Sequence, residues 1–153
     1  MQRVSFMLRL GAKFKARGWI SLLRLTLLWL ERSYGVYIGA KANIGSNVVF
    51  PHPTGIVIGD GATISDNCVI YQNTTIGRLN RDEAQVGLYP NIGAGTTIYS
   101  GAVIVGGLTV GENCLIAANA VVLADVPPNH TAAGVPARVF PHKKANSAMD
   151  VAD

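Results

Sequence analysis

Charge is scarce in this 153-residue chain: 14% of its residues are Asp, Glu, Lys or Arg, while 49% are apolar. That balance excludes a disordered chain, which lacks the apolar surface needed to offset its ordering entropy. A long apolar run is also missing. The stretch Trp19–Leu30 is only twelve residues long and is interrupted by Arg24, too short to span a bilayer. Histidine occurs three times, and no pair stands at ligand-like spacing for zinc. Nor is there a groove-reading module or a basic–aromatic platform, so nucleic acid is not an expected partner. The length fits one domain with appendages.

What the sequence does hold is a period of six. Aliphatic residues or Phe recur at Ile38, Ile44 and Phe50, then, after a two-residue slip, at Ile58, Ile64, Ile70 and Ile76. After a longer interruption they return at Ile92, Ile98, Ile104, Val110, Ile116 and Val122. An internal repeat of this kind fixes the fold before local propensity is consulted. The residue after each rung is usually small (Gly39, Gly45, Gly59, Ser65, Gly77, Gly93, Gly111, Ala117). The fourth residue after it is often small or β-branched (Ala42, Val48, Ala62, Cys68, Thr74, Thr96, Ala102, Cys114, Ala120). The pattern predicts an all-β architecture: a left-handed parallel β-helix of hexapeptide repeats, preceded by a short N-terminal helical segment. Three hexads make one triangular coil, and coils stack at about 4.8 Å. The rung points inward, and the small residue beside it is expected to let the chain turn or take positive φ cheaply. A β-sandwich would instead show period-two alternation. The expected layout is a helical segment over 1–33, a β-helix over 34–128 with a loop at 77–91, a closing segment over 129–140 and a flexible tail over 141–153.

Cys68 and Cys114 occupy the same inward slot two coils apart, about 10 Å, too far for a disulfide. They read as buried thiols of a cytoplasmic chain. Charge is unevenly placed. Residues 1–33 carry seven basic side chains (Arg3, Arg9, Lys13, Lys15, Arg17, Arg24, Arg32) against Glu31, whereas residues 34–153 carry six basic and eight acidic. A secretory leader would need a small-residue cleavage site, but Glu31-Arg32-Ser33-Tyr34 follows the apolar stretch directly. Two readings of residues 1–33 stay open: packing on the prism or a neighbouring subunit, or a basic amphipathic contact with the inner membrane surface.

The ladder breaks twice, at Phe50-Pro51-His52-Pro53-Thr54-Gly55 and over Gly77–Asn91, and repeat folds place binding loops at such breaks. The run Asn47-Val48-Val49-Phe50-Pro51-His52-Pro53-Thr54-Gly55-Ile56-Val57-Ile58-Gly59 resembles the active-site coil of the serine acetyltransferases and their short relatives. The tail Asp125-Val126-Pro127-Pro128-Asn129-His130-Thr131-Ala132-Ala133-Gly134-Val135-Pro136-Ala137-Arg138-Val139 is similar to the closing segment of hexapeptide acyltransferases. The resemblance covers roughly residues 36–140. It implies a homotrimer with active sites between neighbouring prisms, acetyl-CoA as cosubstrate, and His52 in the place of the catalytic histidine. That role suits the residue: a hydroxyl attacking a thioester needs a base, and histidine is half-poised at cell pH. The γ-type carbonic anhydrases also resemble this fold and bind zinc through three histidines. Only His52 lies within the coils here, so no metal is expected. His130 and His142 read as solvated.

The resemblance also locates the cosubstrate and the acceptor. Ser100 and Ala118 match positions whose backbone holds the pantetheine arm. Leu123 and Ala124 match a place where relatives often carry Thr-Lys, and Arg138 matches a residue near the CoA phosphates, a role suited to a guanidinium. Tyr37 stands where the serine-acetylating members have an Asp that holds the base. Pro51 replaces a serine-contacting Asp, and Leu88 and Tyr89 replace an Arg-His pair. Free serine is a zwitterion, and selective binding calls for a cation and an anion that these positions lack. Tyr89 and Asn91 suit a sugar hydroxyl better. The expectation is therefore an O-acetyltransferase acting on a saccharide, as in capsule or exopolysaccharide pathways. The alternatives are a serine O-acetyltransferase and, outside enzymology, a non-catalytic β-helix scaffold.

Overall fold

The computed structural model describes residues 2–79 and 89–142. Most of the expected 77–91 loop, including Leu88, and all but the first two residues of the expected 141–153 tail lie outside the described residues.

The N-terminal segment is a helical hairpin, α1 (Gln2–Ala16) and α2 (Ile20–Tyr34). Lys13 and Lys15 fall in the last turn of α1, where cations complement the helix dipole. Gly35, at φ 64°, ends α2 in the left-handed conformation and donates its N–H to Glu31 O at 2.9 Å. Among the described residues no helix is long and apolar enough to cross a membrane.

From Val36 the chain winds as a left-handed parallel β-helix. The first wall holds β1 (Val36–Ile38), β3 (Ile56–Ile58), β6 (Thr75–Gly77), β9 (Val103–Val105) and β12 (Val121–Val122). The second holds β2 (Asn43–Ile44), β4 (Thr63–Ile64), β7 (Asn91–Ile92) and β10 (Thr109–Val110). The third holds β5 (Val69–Ile70), β8 (Thr97–Ile98), β11 (Leu115–Ile116), β13 (His130–Gly134) and β14 (Ala137–Pro141). Among the described residues all pairings are parallel except β13 with β14, which form an antiparallel hairpin.

Every rung of the ladder except Ile44 is buried, as is each residue two positions before a rung, from Ala42 and Val48 to Ala120. Two inward residues per hexad fill the triangle. Cys68 and Cys114 both lie in this inner layer on either side of Thr96. Burial pushes the Cys68 thiol above its ordinary titration range. Ile44 is only half-buried because α1 does not close over it. It lines a groove of about 860 Å³ between α1 and the first coil.

The small residues after the rungs serve a purpose other than the expected one. Positive φ is carried by Asn47, Asn67, Gly95, Asn113 and Asn129 at one corner and by Gly55, Asn73, Gly101 and Asn119 at another. Gly39, Gly45, Gly93 and Gly111 are instead required by the next coil. A Cβ on Gly39 would stand 2.5 Å from Asp60 Cα, and one on Gly93 would run into the Gly111 backbone. Close stacking, rather than backbone twist, selects glycine there.

Both open ends of the solenoid are covered. At the first coil, Lys15 Nζ donates to the carbonyls of Ala42 (2.8 Å) and Lys41 (3.2 Å) and to Asn43 Oδ1 (3.1 Å), while Val4, Leu23 and Leu30 are buried on the helical hairpin that covers it. At the far end the β13–β14 hairpin covers β11. Both devices meet unpaired strand groups that would otherwise invite another chain.

Candidate active site

The slip in the ladder is a bulge. Val57 pairs with Thr75 with the ordinary coil spacing, but Val49 bridges to Val69, a spacing two residues longer. The extra pair is absorbed in Pro51-His52-Pro53, and Thr54 N–H donates to His52 O at 2.8 Å to close the bend. Phe50, one residue before, is fully buried and anchors the bulge, while His52 is thrust out at the corner between the third and first walls. Two prolines restrict the backbone on either side.

The His52 ring tilts against Tyr71, centroids 6.3 Å apart, and Tyr71 stacks on Tyr99 at 5.3 Å and 13°. Tyr71 and Tyr99 directly follow the rungs of adjacent strands, β5 and β8. They stand where most hexads have a small residue, and that exception was the signal by which the sequence could have revealed them. The imidazole of His52 has no hydrogen-bond partner among the described residues.

Register carries this corner onward. Gly101 N–H donates to Gln72 O (3.0 Å) and Asn119 N–H to Ser100 O (2.9 Å), so Gln72, Ser100 and Ala118 form one column on successive coils. Arg138 pairs with Ala133 in the closing hairpin and is exposed at the far end of the same wall. His52, Ser100, Ala118 and Arg138 thus fall along one edge. Leu123 and Ala124 do not: they follow β12, at the opposite border of the first wall, with Leu123 53% exposed.

The residues expected at the acceptor separate. Tyr37 lies on the outer face of β1 beside Val57, with no hydrogen bond to His52 among the described residues. Asn91 is exposed on β7 in the second wall, away from His52 within one chain. Tyr89 lays its ring over Gly59 and Gly61; a Cβ on Gly59 would stand 2.5 Å from Tyr89 Cε1. That half-buried ring packs against the core. His142, expected to be solvated, is instead a structural tie. Its Nε2 donates to Asn113 O (2.9 Å) and its Nδ1 meets Thr131 Oγ1 (3.0 Å), pinning the hairpin to the coil. His130 Nδ1 lies 2.9 Å from Pro128 O.

Comparison with known proteins places this architecture. Residues 89–124 match the family described as bacterial transferase hexapeptide (six repeats), and residues 35–77 match the hexapeptide repeat of succinyl-transferase. The chain belongs to the hexapeptide-repeat transferase family. Within it the likeness is to serine acetyltransferases. The Salmonella typhimurium serine acetyltransferase is 42% identical over 107 residues, 70% of this chain and 38% of that protein. A solved Brucella abortus serine acetyltransferase superposes with a TM-score of 0.82 at 32% identity, covering 90% of this chain and 55% of the other. A serine acetyltransferase solved in complex with CoA gives a TM-score of 0.77 at 34% identity, covering 88% and 54%. The hexapeptide-repeat chain therefore spans about two-fifths of the length of such curated relatives.

Proposed function

We propose that the chain is an acetyl-CoA-dependent O-acetyltransferase with His52 as general base. One observation carries the reading: a histidine displayed in a proline-framed bulge, at the head of a corner column that ends near an exposed Arg138. As the acceptor oxygen attacks the thioester carbonyl, the imidazole takes its proton and later returns it to the departing CoA thiolate. A backbone N–H at the corner suits the tetrahedral oxyanion. Ser100, Ala118 and Arg138 lie where the CoA arm and phosphates would run. The CoA-bound relative supports this cosubstrate. The assembly in this reading is a homotrimer.

Serine is the acceptor that the relatives support, and it comes first in the assay. A saccharide hydroxyl is the second reading. It is favoured by the Tyr71–Tyr99 pair beside His52, which offers more aromatic surface than serine needs, and by Pro51 in place of an acid. Thiol release from acetyl-CoA, measured across serine, free sugars and sugar nucleotides, decides between them. A serine kcat/KM of about 10⁴ M⁻¹s⁻¹ or more removes the saccharide reading. His52→Ala is expected to lower kcat by ~10²–10⁴-fold with CoA affinity unchanged. Near-wild-type turnover by that variant overturns the base assignment.

The exposed stripe of α2 supports a further contact in this reading, with the inner membrane surface, because Leu22, Leu25 and Trp29 share one uncovered face.

A further inference from the structure

Two polar groups without a hydrogen-bond partner among the described residues belong to the corner that carries His52. The imidazole is one. The other is the side-chain carbonyl of Gln72, whose Oε1 is shut off from solvent without a hydrogen-bond partner. Buried amide oxygens are nearly always paired, and an orphan calls for an explanation.

Register places the two residues on neighbouring coils of that corner. Asn73 N–H donates to Thr54 O at 2.9 Å, so Gln72 stacks on Thr54, the residue that closes the bulge on His52 O at 2.8 Å. Gln72 also follows Tyr71, the ring that His52 leans on. The backbone of the bulge is restricted by Pro51 and Pro53, which leaves side-chain rotation as the motion by which the imidazole changes neighbours. Tyr37, the residue that the resemblance puts in the orienting role, makes no hydrogen bond to His52 among the described residues.

We propose that Gln72 is the positioning residue for His52: its Oε1 accepts the imidazole N–H that faces away from the acceptor, fixing the tautomer whose other nitrogen is free to take a proton. The proposal rests on His52 being the base. An amide suits the task because it orients a neutral ring without adding charge. A carboxylate in the same place would stabilise the imidazolium and move its titration upward. The titratable side chains on the strands packed against the bulge are the phenols of Tyr71, Tyr99 and Tyr37. No charged side chain contacts the ring among the described residues.

The experiment compares wild type with Gln72→Glu, Gln72→Leu and His52→Ala, following thiol release against pH and the His52 ring proton by NMR titration. The glutamate variant is expected to move the acid limb of kcat and the NMR midpoint of His52 to higher pH. It should lose about tenfold in turnover at pH 6 while staying within about threefold of wild type at pH 8.5. The leucine variant, similar in size and unable to accept, is expected to lose ~10–100-fold in kcat with KM for acetyl-CoA within about twofold. An unchanged His52 midpoint in both folded variants, with wild-type turnover, overturns the role of Gln72. If His52→Ala alone is inactive in that case, the base assignment stands and only this proposal falls. Full activity in His52→Ala removes the reading beneath it.

Discussion

At the scale of single residues, the glycines separate two demands that the hexapeptide pattern mixes together. Gly93 lies under the next coil, and an added methyl meets the Gly111 backbone, which cannot swing aside as a side chain could. Gly77 has an ordinary φ, and a methyl added there meets nothing within 4 Å among the described residues. Gly93→Ala is therefore expected to destabilise by about 1–3 kcal/mol, as overpacking does. Gly77→Ala is expected to be neutral or slightly stabilising, through lost unfolded-state entropy. Urea midpoints of the two variants check this, and equal effects would remove the stacking argument. The rungs were legible from the sequence because burial imposes a strict period on them. The reason for the small residue beside each rung was not, because it depends on the distance to a coil eighteen or more residues away. Tyr71 and Tyr99 stood in plain view as exceptions to the small slot. Their closeness to His52 required the bulge register, which a repeat count cannot supply.

At the scale of elements, the two ends of the solenoid are closed by different means, and only one was readable. The closing hairpin has a family-like sequence. The α1 cap has none, and its main polar hold on the first coil is Lys15, reaching the carbonyls of Lys41 and Ala42 and the side chain of Asn43. The surplus of positive charge over residues 1–33 suggested a free basic face, yet Lys15 is spent on strand-edge carbonyls and Arg9 contacts Asn47 Oδ1 at 3.4 Å. A cation bridging carbonyls of an exposed edge replaces the strand that would otherwise pair there. Lys15→Met keeps the stem and removes the donors. Amide exchange in α1 is expected to quicken about tenfold, since hydrogen bonds to charged groups contribute about 1.5–3 kcal/mol before solvent screening. Exchange in β8 and β11 should stay as it was. Uniform acceleration across the coils would mean that α1 supports the whole prism rather than its first turn, and no change would mean that the apolar contacts of Val4, Leu23 and Leu30 suffice.

At the scale of the whole molecule, both readings of the N-terminal segment meet in α2. One face is buried through Leu23, Thr26 and Leu30, as the packing reading expected. The other leaves Leu22 41%, Leu25 62% and Trp29 38% exposed at helical spacing, with Arg24 and Arg32 on the same helix and Arg17 just before it. Contiguous apolar surface rimmed by cations fits an anionic lipid interface, into which Trp and Leu dip while arginines meet headgroups. The prism, slightly acidic, would hang from that surface by its helical end. The protein is expected to co-sediment with phosphatidylglycerol vesicles at low salt, to release as salt rises, and to ignore phosphatidylcholine vesicles. Leu25→Glu should abolish the binding and leave the oligomeric state unchanged. If wild type stays in the supernatant at low salt while Leu25→Glu lowers the oligomeric state, the stripe is covered by a second copy of the chain, and the contact belongs to assembly rather than to a membrane.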